Sequence, residues 1–136
     1  MGTYVGLSEY NKGLGLSVFV QFKAKLYPFS VLKAARVVND HFNGKDILVY
    51  YSMKEHSATA WLRTVNGQSL TFEATQQTDP HGNMLLRDEQ TQSLWSWLRG
   101  EAVEGELKGQ QLAQLSYNPI LNDRFHAFYP DGPVYR

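Results

Sequence analysis

Between two apolar runs, residues 47–51 and 59–65, lies the hexapeptide Ser-Met-Lys-Glu-His-Ser at positions 52–57. It places a hydroxyl (Ser52), an ammonium (Lys54), a carboxylate (Glu55) and an imidazole (His56) within five residues. It has none of the Gly, Pro, Asn or Asp residues that usually build a tight turn. Glu55 and His56 are therefore candidates for acid–base chemistry. A solvated polar connection is the competing reading, since loop charges are mostly hydrated. Asp88, in the run Arg-Asp-Glu-Gln-Thr, is the third catalytic candidate: it could act as an acid beside a cleft lined by Trp95. An Asp followed three residues later by Thr91 more often closes a side-chain-to-backbone turn, and that is the expected role here.

Metal chemistry has weaker support. The four His residues (His41, His56, His81 and His126) include no pair at i, i+3 or i+4 spacing that would share one helix face. A site would have to be assembled across loops, with His56 and His81 as weak ligand candidates joined by a carboxylate such as Asp79. There is no G-x-S-x-G elbow. The Gly spacing in GEAVEGELKG lacks the preceding strand and following helix of a phosphate loop. No cofactor is expected. With 0 Cys, disulfides, thiol nucleophiles and thiolate metal sites are excluded together.

The elements that must position these groups read mainly as β. Val18, Val20, Phe22, Ala24 and Leu26 alternate as one strand face, ended by Pro28. A short helix is expected near 30–36, capped by Ser30, with Val31, Leu32 and Ala35 inward. Asn43-Gly44 and Asn66-Gly67 are hairpin turn signals around the half-buried strands 47–51, 59–65 and 68–74. Val20, Phe22, Leu48, Trp61, Leu70 and Phe72 should lie inside. Trp95 and Trp97, two apart, would face opposite ways on an extended segment, one into the core and one over a sheet end or pocket. Asn118 as N-cap, Pro119 at the first helical position and a stop at Pro130 predict a C-terminal helix near 118–128. Ile120, Leu121, Phe125 and Phe128 should share its inner face. Residues 1–15 read as a loop or weak first strand. The expectation is a mainly β (α+β) single domain over 1–136, an antiparallel sheet or a partly open β-barrel.

Composition narrows the class further. At 43% hydrophobic and 19% charged residues the chain is globular, and 136 residues support one core. Thirteen basic residues balance thirteen acidic ones, so no global charge favours nucleic acid or an anionic membrane. No signal-peptide pattern is visible, and no run approaches the roughly 20 apolar residues of a membrane span. A soluble chain is expected, with a small molecule or a protein as partner, no nucleic acid and no membrane insertion.

Several segments together resemble a large, mostly prokaryotic family of unknown function, DUF3179, over residues 23 to 135. They are AKLYPFSVL, VVNDHFNG, ILVYYSMKEHSATAW, GNMLLRDEQTQSLWSWLRGEAVEGELKG and FHAFYPDGPVY, in that order. The signature positions are Asn39, Asp40 and Gly44; then Asp88, Thr91, Ser93, Trp95 and Gly100; then Tyr129, Pro130 and Asp131. The resemblance implies ligand-binding candidates at Asp40, Ser52, Lys54, Thr91 and Trp95. Many members carry Tyr-Cys-Pro-x-Cys-Gly-Ser/Thr-Ala at the connection considered above, some with selenocysteine, which implies thiol redox or soft-metal chemistry. In that register Ser52 replaces the first Cys, Glu55 the second and His56 the Gly, while Ser57 and Ala58 match. Hydroxyl and carboxylate cannot cycle between dithiol and disulfide, so redox activity is not expected here. Export, often predicted for relatives, finds no signal in this chain. The leading expectation is a binding or interaction module that lacks its relatives' thiol site. The alternative is a metal-binding protein or enzyme with an oxygen/nitrogen site around 52–58, next to Asp88 and Trp95.

Overall fold

The computed structural model describes residues 13–136. In chain order these form β1 (Leu14–Val20), β2 (Lys23–Pro28), α1 (Phe29–Ala35), β3 (Val37–Phe42), β4 (Lys45–Ser52) and β5 (Ser57–Leu62). There follow β6 (Thr64–Val65), β7 (Gln68–Ser69), β8 (Phe72–Thr78), β9 (Met84–Asp88), β10 (Leu94–Ser96), β11 (Ala102–Glu104), β12 (Ser116–Leu121) and α2 (Asn122–Phe128). The strands make antiparallel sheets with orders β12-β1-β2, β3-β4-β5, β11-β10-β9-β8 and β6-β7. None closes into a barrel.

β4 explains the layering. Its side chains alternate between two cores: Ile47, Val49 and Tyr51 pack with Leu16, Val18, Val20 and Tyr27, while Leu48 and Tyr50 pack with Trp61, Phe72, Leu86, Trp95 and Trp97. The sheet of β3, β4 and β5 is thus a middle layer covered on both faces, where a strand reads as a continuous apolar run. That is why ILVYY lacks the alternation of a half-buried strand. The next strand divides its faces by size, with Ala58 and Ala60 on one side and Trp61 on the other. Its outer edge is covered by residues 113–115: Leu62 N–H donates to Ala113 O at 2.8 Å and Leu115 N–H to Ala60 O at 3.1 Å.

Several boundaries differ from the sequence expectation. The run from Val18 to Leu26 is a hairpin, turned at Gln21 and Phe22 with φ of 48° and 72°, and the Phe22 side chain is fully exposed. The apolar alternation continues through the turn because this sheet too is buried on both faces. Val18 and Val20 enter the first core, whereas Ala24 and Leu26 pack on Phe125 of α2. The expected strands 59–65 and 68–74 are each split, the first into β5 and β6 and the second into β7 and β8, although Leu70 and Phe72 are buried as expected. The C-terminal helix is present but begins at Asn122, because 116–121 pair with the edge of β1, with Leu16 opposite Pro119 and Ser17 opposite Asn118. An edge strand tolerates a proline's missing N–H. Of the four residues expected on its inner face only Phe125 is buried, and Phe128 is exposed.

The first helix falls at 29–35, with Pro28 rather than Ser30 in the cap position and Phe29 and Leu32 as its buried residues; Ala35 is exposed. Both Asn-Gly pairs turn hairpins as expected, with Asn43 and Asn66 each at φ 51°. Of the expected loop or weak strand at 1–15, Leu14 and Gly15 belong to β1 and residues 1–12 lie outside the described residues. Among the described residues no helix is long and apolar enough to cross a membrane.

Candidate functional site

The β4–β5 hairpin closes through Met53, Lys54, Glu55 and His56, between the paired Ser52 and Ser57. Ser52 Oγ accepts the Glu55 N–H at 3.0 Å, so a side chain supplies what a turn residue would. His56 completes the reversal at φ 52°, a left-handed position that Gly adopts without a Cβ penalty. Positions 52 and 55 are therefore held together in one turn.

Beside this turn opens a cleft of about 250 Å³. Ser52, Met53 and Lys54 form one wall, Tyr50 and Trp97 the floor, and Arg36 and the segment Gly82, Asn83 and Met84 the remaining sides. Each is placed by a separate device. Arg36 follows α1 in the unusual conformation φ 66°, ψ −54°, near the strained classic γ-turn. Its N–H donates to Leu32 O at 2.7 Å and its carbonyl accepts the Tyr51 N–H at 2.9 Å, so the backbone is fixed on both sides. Asp79 shapes the 79–83 loop by accepting the N–H groups of Asn83 (2.9 Å) and His81 (2.8 Å), which hold its carboxyl below the usual range. The loop in turn offers His81 O to Lys54 Nζ at 2.9 Å. Trp97 is held through its carbonyl, which accepts Thr59 Oγ1 at 3.2 Å and Trp61 Nε1 at 3.1 Å. Its ring lies 5.2 Å from that of Tyr50. Burial raises the Tyr50 hydroxyl pKa, and the nearby positive charge of Arg36 opposes that rise.

The sequence candidates distribute unevenly around this cleft. Ser52 and Lys54 line it. Glu55 is exposed, does not line it and forms no ion pair among the described residues. His56 is exposed and borders a separate concavity of about 290 Å³ with Leu14, Phe29, Lys33 and Tyr51. His81 is exposed and contributes only its carbonyl. Among the described residues no group of three or more His, Cys, Asp or Glu could hold a metal ion.

Asp88 and Trp95 are not at the cleft. Met84 lines it at one end of β9 and Asp88 ends the same strand, roughly 13 Å away at the rise of an extended chain. Fully buried Asp88 accepts Thr91 N–H at 2.5 Å, Thr91 Oγ1–H at 2.9 Å and the Trp95 indole N–H at 2.8 Å. This is the turn-closing arrangement expected from its spacing to Thr91. The tryptophan at the cleft is Trp97, although both indoles are buried in the same core. Asp40 is likewise engaged: it accepts Lys25 Nζ at 2.7 Å and Tyr27 OH at 2.8 Å.

Arg36, Tyr50, Met53 and Met84 do not stand out as site residues in the sequence, and Trp97 does so only as one of two tryptophans of which either could border a pocket. Only the pairing of sheets brings them together, and the one local signal, the absence of a Gly or Asn after the short helix, is weak. Two larger concavities exist, a groove of about 630 Å³ along residues 114–118 and one of about 680 Å³ at the tip of the first hairpin. Neither contains a catalytic, ligand or metal candidate from the sequence, although the signature residues Tyr129, Pro130 and Asp131 line the second.

A family model described as a protein of unknown function, DUF3179, matches residues 13–136. The chain belongs to the DUF3179 family. No curated protein and no solved structure matches it. Several of the positions carrying the family resemblance have visible structural roles. Asn39 pairs both its amide groups with the backbone of Phe72 (2.8 and 2.9 Å), stitching β3 to β8. Asp88, Thr91, Ser93 and Trp95 form one hydrogen-bonded turn, with Ser93 Oγ also accepting the Leu107 N–H at 3.0 Å. Gly100, at φ +67°, lies so close to the Trp61 ring that a Cβ would come within 2.6 Å of it. These DUF3179 signature residues hold the sheets in place around the cleft without lining it.

Proposed function

We propose that this DUF3179 member is a binding module that takes a small molecule in the cleft between Arg36, Ser52, Lys54 and Trp97. The observation that carries this reading is the cleft's position. It opens directly at Ser52, where the family resemblance puts the first thiol of its relatives, and it is walled by four separate chain segments. A concave site of this kind, mixing aromatic and thioether surface with a few polar groups, has the make-up of a small-ligand pocket. Its volume of about 250 Å³ lies just under the usual ~300–1,000 Å³ range, which favours a compact ligand. The missing sulfurs take away dithiol chemistry, and the cleft beside Ser52 is what this chain has there. The rival reading, an enzyme or metal site formed by Glu55 and His56 with Asp88 and Trp95, has less support, because Glu55 and His56 are exposed on the hairpin turn, whereas Asp88 and Trp95 are bonded to each other in the interior.

Amide NMR mapping with a chemically mixed fragment set tests the proposal. Fragments should shift Tyr50, Ser52, Lys54, Met84 and Trp97 as a group. Shifts confined to the first-hairpin groove, or no shifts from any fragment, would contradict it.

A further inference from the structure

We infer that the cleft is specific for a small oxyanion, a carboxylate or phosphate group carried on a short apolar body. This rests on the binding reading above and names the ligand class for that same site. The cleft offers donors without competing acids. Arg36 and Lys54 both line it and, among the described residues, no Asp or Glu does. Among the described residues the Arg36 guanidinium has no ion-pair or hydrogen-bond partner, although its backbone is locked in place. Lys54 commits one of its three N–H donors to His81 O, which fixes the ammonium at the rim and leaves the others unspent. Asp79, the one acid of the loop facing Lys54, already accepts from two backbone N–H groups and the Asn83 amide.

Two hydroxyls add to this set. The hydroxyl of buried Ser52 accepts from Glu55 N–H, and among the described residues nothing accepts its proton. The Tyr50 hydroxyl makes no hydrogen bond among them and is not sealed from solvent. Guanidinium and ammonium are donors only, and each hydroxyl has a proton to give, so the partner that satisfies all four is a group made of acceptors. A carboxylate or phosphate is such a group, and charge-assisted bonds to it are about twice as strong as neutral ones. The remaining surface, Met53, Met84 and the Trp97 ring, suits a few carbons or one flat ring. A strained arginine conformation at the mouth of such a cleft is the kind of stored cost that accumulates at binding sites.

Three ligands of one shape test the inference: phenylacetate, benzylphosphonate and the neutral phenylacetamide, titrated into the full chain by NMR and calorimetry. Phenylacetate or benzylphosphonate should bind at least about tenfold tighter than the amide, and whichever is tighter identifies the head group. Arg36→Gln and Lys54→Gln should each weaken the anion by about tenfold or more, and weaken the amide by clearly less. Added salt should weaken the anions alone. Equal binding of all three in the cleft would overturn the oxyanion inference and leave the binding reading standing. The oxyanion inference also fails, on its own, if both variants keep their spectra and their anion affinity. If none of the three perturbs the cleft at about 10 mM, a level that detects even very weak binding, the inference and the reading beneath it both fail.

Discussion

Replacing Asp88 by Ala removes an acceptor that three donors share. The hydroxyl of Thr91 can turn to Ser93 Oγ, already 2.7 Å away, so its loss is small. The Thr91 N–H and the Trp95 indole N–H have no such recourse: each is bound to Asp88, and Trp95 is almost completely buried. A buried donor left unpaired costs about 1–3 kcal/mol; that applies in full to the Trp95 indole, while the half-buried Thr91 N–H adds less because water can reach it. Against a typical total of about 5–15 kcal/mol, that is a measurable share of the stability. Asp88→Asn keeps the shape and one acceptor but turns an NH₂ group toward donors, and should cost less. Guanidinium melts followed by tryptophan fluorescence and near-ultraviolet circular dichroism give both numbers. An Ala variant within about 0.5 kcal/mol of wild type, the range of an inconsequential surface change, would refute the structural role and make Asp88 a catalytic candidate again.

Restoring cysteine with Ser52→Cys and Glu55→Cys should give a readily formed disulfide, since the Ser52–Glu55 bond already closes that turn; a thiol assay after mild oxidation that still finds both thiols free would mean the turn cannot adopt the geometry. Gln21→Asn with Phe22→Gly should raise stability by about 1–2 kcal/mol, because both turn residues sit at positive φ and this pair is the preferred one for such a hairpin; an unchanged or lowered melting midpoint contradicts the turn assignment. Burial raises the Asp40 pKa, but hydrogen bonds from Lys25 and Tyr27 outweigh it and the net shift is downward. Its contribution to stability should thus be present above its unfolded pKa of about 3.9 and be lost as pH falls through the lower folded value. Denaturant midpoints between pH 2 and 6, measured on wild type and on Asp40→Asn, should show a shallower acid decline in the variant.

What the sequence discloses and what it withholds have a common cause. Asn43-Gly44, Asn66-Gly67 and the Asp88–Thr91 turn are legible because each is a local device in which neighbouring residues satisfy one another. Phe22 reads as an inward residue because apolar alternation runs through a hairpin unchanged when both faces of the sheet are covered. Asn118 and Pro119 make a good helix start in isolation, but the open edge of β1 captures them as a strand. At the candidate site, Ser52 and Lys54 stand out as polar residues in an odd connection. Arg36 and Met84 do not, because they come from two further segments that meet only after the sheets pair. Trp95 draws attention in place of Trp97 for a related reason: with both indoles buried, only the tertiary arrangement decides which one borders the cleft.

A crystal structure of the chain with phenylacetate or benzylphosphonate bound would show directly whether the cleft is an oxyanion site. Density is expected in the cleft, with the anionic head between Arg36 and Lys54, within hydrogen-bond reach of Ser52, and the ring against Trp97. Density in the groove beside Phe22 and Phe128, or an empty cleft at ligand concentrations that saturate binding in solution, would contradict that assignment.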